Sequence, residues 1–447
     1  MLIRFIVKNI YSYKNETEFN LFHNKAQGLQ HHIIKNEDFE FLRFSAIYGA
    51  NASGKSNLIK AISFLKSLVV KGEIPRNSDE IKFKLSKENL DSPISFGIEF
   101  MVSKQAFFYS ITFNEDGILY EYLANSKKNE DIMIFERINE DTGQRIVFFK
   151  DYYKSDKDKL FAEILSEKLV QKNTLLITFL GEKYQKEFGS SVNLAFQWFK
   201  NDLVIIKPES KAVGLAHLMD KDPELEKFAN NYIPSLNTGI FEIEIEKKKF
   251  EESLYGNIDA SQKREIIEEL KDQPGKFSVL TNKNTGEEIS VVVENEEILT
   301  KRIITKHKDH FGGSTDFNLG IESDGTKRLF DYIPAFYEVI NHNKVYIIDE
   351  IERSIHPITI KELLTKLALD TSIKGQLIFS THETNLLDQN ILRPDEIWFA
   401  QKDVDESTKL YSLSEFKIHH TINIENGYLK GRFGGIPFLT NLKDINW

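Results

Sequence analysis

The chain has 447 residues, of which 41% are apolar and 28% charged, with a formal net charge of −10 and no cysteine. That length and apolar content suit two or three cooperating units with sizeable cores. The cysteine count excludes disulfide staples, cysteine zinc sites and thiolate nucleophiles, and the acidic balance gives no global support for a nucleic-acid binder.

The N-terminal stretch MLIRFIVKNIYSYKNETEF has neither the apolar segment nor the cleavage site of a secretory signal. No run of about 18 apolar residues occurs, so the expectation is a cytoplasmic chain with no membrane partner. Residues 1–150 read mostly as strands: Ile3–Val7, Phe44–Tyr48, Ile94–Phe100 and Phe107–Phe113, with a turn at Asn114–Gly117. Asn57–Val70 changes period and predicts a helix, with Leu58, Ile62, Leu65 and Val69 on one face. Across 151–311 the texture becomes charged and amphipathic. Helices are expected over Lys157–Lys172 and Ala260–Asp272, and strands over Ile240–Ile245 and Ile289–Val293. This stretch reads as a mainly helical α+β subdomain inserted into the first unit. Residues 312–447 return to alternation. Thr326–Ile340 predicts a helix that Pro334 kinks, Val345–Ile348 a buried strand, Ile358–Leu369 a helix, and Gln376–Ser380 and Glu396–Ala400 two further strands. Apolar strands alternating with amphipathic helices predict an α/β fold around a parallel sheet.

Four motifs carry chemistry. Gly49-Ala50-Asn51-Ala52-Ser53-Gly54-Lys55-Ser56, between a predicted strand and a predicted helix, has the Gly-x4-Gly-Lys-Ser spacing of a phosphate loop. Its glycines let successive N–H groups turn toward phosphate oxygens, and the following helix aims its positive end there. Lys55 is expected to reach the β- and γ-phosphates, and Ser56 to ligate Mg²⁺. The second motif, Val345–Glu350, is an apolar strand that ends in two carboxylates. Asp349 is the candidate metal ligand and Glu350 the candidate general base. The third is the strand Gln376–Ser380 leading to His382, whose imidazole is placed to bond the γ-phosphate and the attacking water. The fourth, Glu322–Leu329, opens a helix with Ser323, Asp324, Gly325 and Thr326. It is either an anion-binding helix N-terminus or a plain N-cap made by Ser323 or Asp324.

The order of these motifs resembles the ATP-binding-cassette class of ATPases and, within it, the RecF/SMC-type heads, with the loop running on through Asn57. More narrowly, Tyr48–Asn57, Glu322–Leu329, Ile348–Pro357, Phe379–Thr384 and Tyr428–Pro437 are similar to the phrases of the bacterial OLD-like, AAA-type ATPases. The resemblance covers roughly 1–125 and 312–437. It implies a P-loop NTPase of ABC-head type that binds ATP and Mg²⁺. Gly49, Ala50, Asn51, Ser53, Gly54, Lys55, Ser56 and Asn57 would hold the nucleotide, Ser56 and Asp349 the metal, and Glu350, His382 and Lys55 would act in catalysis. It also implies a homodimer or higher homo-oligomer through the heads, with Ser323, Gly325 and Thr326 of one copy facing the triphosphate of the other. Similar ATPases serve antiphage defence and abortive infection, as in the PARIS and Septu systems and the RloA/AbiLi group. On that model a separate effector, a Toprim, HNH or RloB-like nuclease, is a partner, with a phage protein or nucleic acid as trigger.

The chain departs from the class at Asp324, where a second glycine is usual. The residues after His382 are too few for a Toprim domain. Gln105 is a candidate for the glutamine of the class, against a reading as a surface residue. Arg353 and His356 follow the carboxylate strand as either dimer-interface or solvated groups. Gly431–Gly435 either bind a partner or form a last turn, and His31, His32 and Lys306–Lys308 read as exposed loop residues. Two other functions compete with the defence ATPase: a RecF/SMC-like repair ATPase that binds DNA directly, and the nucleotide-binding subunit of a transporter.

Overall fold

The computed structural model describes residues 1–26, 28–140, 143–149, 152–184, 189–250, 268, 270, 277–281, 288–295, 297–416 and 423–436. By their contacts these fall into two units, one of 1–208, 341–351 and 361–447, the other of 209–340 and 352–360. The boundaries differ from those expected from the sequence. Residues 151–208 join the first unit because Leu203–Ile206 is a strand of its main sheet, in parallel register with Val345–Ile348.

The first unit holds two large sheets. One has six strands in the order Leu203–Ile206, Val345–Ile348, Gln376–Ser380, Phe44–Tyr48, Ile397–Lys402 and Thr408–Ser412. The first five run parallel and the last antiparallel. Phe44–Tyr48, Val345–Ile348 and Gln376–Ser380 are buried at every position, as a parallel sheet covered on both faces requires. The helix Lys55–Lys71 follows the central strand and buries Leu58, Ile59, Ile62, Leu65, Leu68 and Val69. Each such side chain contributes about 1.5–3 kcal/mol of transfer free energy. It ends at Gly72, whose φ of 77° closes the last turn by an N–H bond to the Leu68 carbonyl.

The second sheet is antiparallel, in the order Gly143–Phe148, Ile132–Glu140, Gly117–Asn125, Gln105–Asn114, Ile94–Val102, Leu2–Lys8 and Thr17–Asn20. The expected turn at Asn114–Gly117 is a two-residue hairpin in which Asn114 pairs with Gly117. Gln105 begins a strand at another hairpin and is exposed, in keeping with its reading as a surface residue. The sheet anchors the helix Leu176–Lys183 through buried Glu121, which accepts the Leu176 and Ile177 N–H groups at 2.8 and 3.0 Å.

The second unit carries a five-stranded antiparallel sheet. Ile240–Lys249, Glu297–Lys308, Glu288–Glu294 and Phe277–Thr281 follow in order, and Ser314–Asn318 also pairs with Glu297–Lys308. The helices Leu215–Lys221 and Pro223–Ser235 precede it, the second capped by the Asp222 side chain. Fully buried Lys301 joins Asp220 and Glu294 at 2.5 and 2.6 Å.

Two expected helices differ in detail. Thr326–Ile340 is two helices, Asp324–Asp331 and Ile333–Asn341, broken at Tyr332 because Pro334 cannot donate a backbone N–H and its ring crowds the preceding turn. Lys157–Lys172 is an α-helix over Asp156–Ile164 that widens to a π-turn over Leu165–Leu169. The expected helix Ala260–Asp272 lies outside the described residues except Glu268 and Leu270, both helical, and Pro437 also lies outside them. His32, expected in an exposed loop, is fully buried, with Nδ1 2.9 Å from Glu396 and Nε2 2.8 Å from the Ala368 carbonyl.

Candidate functional site

Three neighbouring parallel strands end on the same edge of the six-stranded sheet. Phe44–Tyr48 runs into Gly49, Val345–Ile348 into Asp349, and Gln376–Ser380 into Thr381 and His382. The topology therefore brings together residues that lie hundreds of positions apart. This carboxyl-terminal edge is where open α/β sheets place their ligands.

The loop Gly49–Ser56 is backbone-driven. Gly49 has φ 154°, Ala52 60° and Gly54 111°. A side chain at Gly54 would run into that of Thr408, and one at Gly49 into the Ala400 carbonyl. The two glycines are therefore required by space as well as by torsion. Lys55 opens the helix and is buried, and its Nζ donates to the Gly49 and Ala50 carbonyls at 2.8 and 3.1 Å. The ammonium thus already lies inside the curl, 3.5 Å from His382 Nδ1. Ser53 Oγ is buried and has no hydrogen-bond partner among the described residues. A buried hydroxyl facing its own loop suits a phosphate oxygen, since an unmet polar group there costs about 1–3 kcal/mol.

Ser56 Oγ donates to Asp349 Oδ1 at 3.1 Å, and Ser380 Oγ donates to the same oxygen at 2.5 Å. A hydroxyl and a carboxylate side by side form the oxygen set that a small hard cation takes from a protein when phosphates and water supply the rest. Among the described residues no cluster of three or more His, Asp or Glu forms an all-protein metal cage. The residues present fit Mg²⁺ held together with a nucleotide. Glu350 follows with φ 51°, a left-handed conformation that costs a non-glycine residue of order 1 kcal/mol. Its N–H donates to Ser380 Oγ at 2.9 Å, and the Ile351 N–H donates to the Ser380 carbonyl at 3.1 Å.

Several supporting residues carry no motif. The Thr408 hydroxyl lies 2.7 Å from Ser12 Oγ and 2.9 Å from the Ser53 carbonyl, and Asn57 Nδ2 donates to Ser12 Oγ at 2.9 Å. The Tyr13 hydroxyl donates to the Gly54 carbonyl at 3.0 Å, and burial pushes its pKa up, so it stays a donor. Ser380 alone had a signal, its place two residues before His382 in a strand already read as part of the site. Ser12, Tyr13 and Thr408 meet the loop only through strand order.

The turn at Ser323 lies in the second unit. Ser323 Oγ accepts the Thr326 N–H at 3.1 Å and pairs with Thr326 Oγ1 at 2.8 Å, the geometry of an N-cap. Ser323 and Asp324 are exposed. A Cβ on Gly325 would stand 2.6 Å from the Ser354 carbonyl, so close packing alone requires glycine there. Glu322 accepts from Thr305 Oγ1 at 2.6 Å and from His307 Nε2 at 2.9 Å, which ties the turn to the five-stranded sheet. Arg353 and His356 are exposed. Gly431–Gly435 pack against the main sheet: Phe433 stacks on Phe399, and the Tyr428 hydroxyl donates to the Gly435 carbonyl at 2.9 Å.

Among solved structures the chain is similar to an SMC head bound to the C-winged helix domain of ScpA, at 15% identity over 92% of this chain and 97% of that one, with a TM-score of 0.45. It is also similar to the SMC head domain from Thermotoga maritima, at 13% identity over 92% and 98%, TM-score 0.41. A third similar structure is the Smc head domain with an extended coiled coil bound to the C-terminal domain of ScpA derived from Pyrococcus furiosus, at 14% identity over 96% and 98%, TM-score 0.42. No curated protein matches the sequence. No helix among the described residues is long and apolar enough to cross a membrane. One family model matches residues 44–388, from the strand before the phosphate loop to beyond His382, and the chain belongs to that family of AAA-type ATPases, described as "AAA domain, putative AbiEii toxin, Type IV TA system".

Proposed function

We propose that the chain binds and hydrolyses ATP with Mg²⁺ at Gly49–Ser56, Asp349, Glu350 and His382. The observation that carries this reading is the Ser56–Asp349 hydrogen bond, which joins the helix start of the phosphate loop to the carboxylate strand. Lys55 and the loop N–H groups bind and orient the triphosphate, with Asn51 and Asn57 at its flanks. Bound Mg²⁺ supplies charge neutralisation at the phosphates, and Ser56 and Asp349 are the residues that would hold it. Glu350 holds the proton-accepting carboxylate for the attacking water, and His382, beside Lys55, reads the terminal phosphate. Phosphate release under saturating ATP, compared between the wild type and Lys55→Ala, tests the assignment. Equal rates would remove it.

We further propose that two copies sandwich two nucleotides, with the Ser323–Thr326 turn of each, exposed at Ser323 and Asp324, facing the triphosphate of the other. The ATPase would then act as the sensor subunit of an antiphage defence complex that restrains or releases a separate nuclease. The family description, which names an abortive-infection toxin and a type IV toxin–antitoxin system, supports a role in this area. Co-purification from the native operon tests it. Recovery of this chain alone, together with full phage protection by a Lys55→Ala strain, would overturn it. The alternative, direct DNA binding, finds little support among the described residues of the second unit. There Arg302 pairs with Glu246, Lys306 with Glu244 and Lys301 with Asp220 and Glu294, so these cations are already matched.

A further inference from the structure

The strand Gln376–Ser380 stands between the phosphate-loop strand and the carboxylate strand. Its last residue, Ser380, pairs in register with Ile47 on one side, and the next N–H, of Thr381, donates to the Ile47 carbonyl at 3.1 Å. On the other side Ser380 makes three contacts with the carboxylate turn. Its hydroxyl proton goes to Asp349 Oδ1, its hydroxyl oxygen accepts the Glu350 N–H, and its carbonyl accepts the Ile351 N–H. The side chain is fully buried. A serine hydroxyl has one proton to give and lone pairs to receive, so both capacities are committed.

From this arrangement we infer that Ser380 is a positioning residue that sets the metal-side carboxylate of Asp349 and the left-handed backbone of Glu350 at once. The inference rests on the ATPase reading of the same site. Asp349 Oδ1 takes hydroxyl protons from Ser56 and Ser380, which fixes the rotation of its carboxylate. Glu350 sits at φ 51° because two successive N–H groups are drawn to one serine. With an apolar residue at 380, the Glu350 N–H loses its acceptor and Asp349 keeps a single donor. The turn then has less reason to hold its strained torsion, and the base drifts from the water it must reach.

The test uses the full chain with three variants, Ser380→Ala, Ser380→Thr and Lys55→Ala. The expected result for Ser380→Ala is a fall in kcat of about 10–100-fold, the usual cost of removing a group that orients a metal-site ligand. The dissociation constant for ATP should move far less than kcat, because the loop donors are untouched. A second readout is independent of turnover. Mn²⁺ titrated into the ADP-bound protein and followed by electron paramagnetic resonance should bind more weakly to Ser380→Ala. Ser380→Thr keeps the hydroxyl and should recover both turnover and Mn²⁺ affinity. If the alanine variant fails to fold, Ser380→Cys, which keeps the volume but bonds poorly, takes its place. Ser380→Ala matching the wild type in both readouts, while Lys55→Ala is inactive, would overturn the inference and leave the ATPase reading standing. A threonine variant as impaired as alanine would also overturn it. If Lys55→Ala hydrolyses ATP like the wild type, the ATPase reading itself fails, and the role of Ser380 falls with it.

Discussion

In the loop Gly49–Ser56 three polar groups reach beyond their own segment: Ser56 to Asp349, the Ser53 carbonyl to Thr408, the Gly54 carbonyl to Tyr13. In the turn Ser323–Thr326 they close on themselves, with the Ser323 hydroxyl spent on the Thr326 N–H and hydroxyl. The first segment is a hub that three strands and a helix converge on. The second is a capped helix start whose glycine is fixed by the Ser354 carbonyl. The phosphate loop therefore has a use for its residues inside its own unit. The Ser323 turn is already explained as structure, and any function it has must come from outside the chain's own hydrogen bonds.

The sharpest way to break that contrast is Lys55→Ala. Its ammonium is the one cation inside the loop's curl, and charge-assisted bonds to phosphate are worth about 1.5–3 kcal/mol each. ATP affinity measured by titration calorimetry should fall about tenfold or more, and phosphate release about 10³-fold. Unchanged affinity would mean the loop is not the nucleotide site. If Glu350 is the base, as proposed, Glu350→Gln should cost about 10²–10⁴-fold in turnover. Because the Ser380 contact uses the Glu350 backbone, the left-handed turn should survive and ATP binding with it. Sedimentation of this variant with ATP and with ADP then asks whether triphosphate alone pairs two copies. A monomer under both conditions would detach the Ser323 turn from the site.

Gly325→Ala acts on the other side of the comparison. Its Cβ would press the Ser354 carbonyl, backbone that cannot swing aside, so the second unit should lose about 1–3 kcal/mol in chemical denaturation. ATP affinity should hold. A large loss of affinity with no loss of stability would show that the turn touches nucleotide directly.

The sequence made some of this legible and hid the rest for physical reasons. Phe44–Tyr48, Val345–Ile348 and Gln376–Ser380 were readable because burial on both faces demands mostly apolar runs, and the loop because its glycines, Lys55 and Ser56 each have a torsional or electrostatic duty. Leu203–Ile206 is equally apolar but stands between a π-turn and an irregular segment, so nothing local marks it as a strand of the main sheet. His32 looked like a loop residue because burial of an imidazole depends on Glu396 and the Ala368 carbonyl, partners more than 300 positions away. Ser12, Tyr13 and Thr408 are invisible for the same reason. Pro334 was read as a kink, and the observed break at Tyr332 is the stronger form of the same steric fact.

The smallest effect separates the two roles left to Ser323. Ser323→Ala removes only an N-cap, so about 1 kcal/mol of stability should go, a shift of a few degrees in Tm. That result alone says nothing of nucleotide. Ser323→Asp is the informative partner, because aspartate caps as well as serine and should restore Tm, while it brings a fixed negative charge to the turn. If the turn serves only to start its helix, turnover in Ser323→Asp will equal the wild type. If it faces a triphosphate on a second copy, repulsion will slow turnover and oppose pairing even though the fold is fully recovered. The expected outcome is the second, read as phosphate release and sedimentation at matched Tm, and equal turnover would leave Ser323 a cap and nothing more.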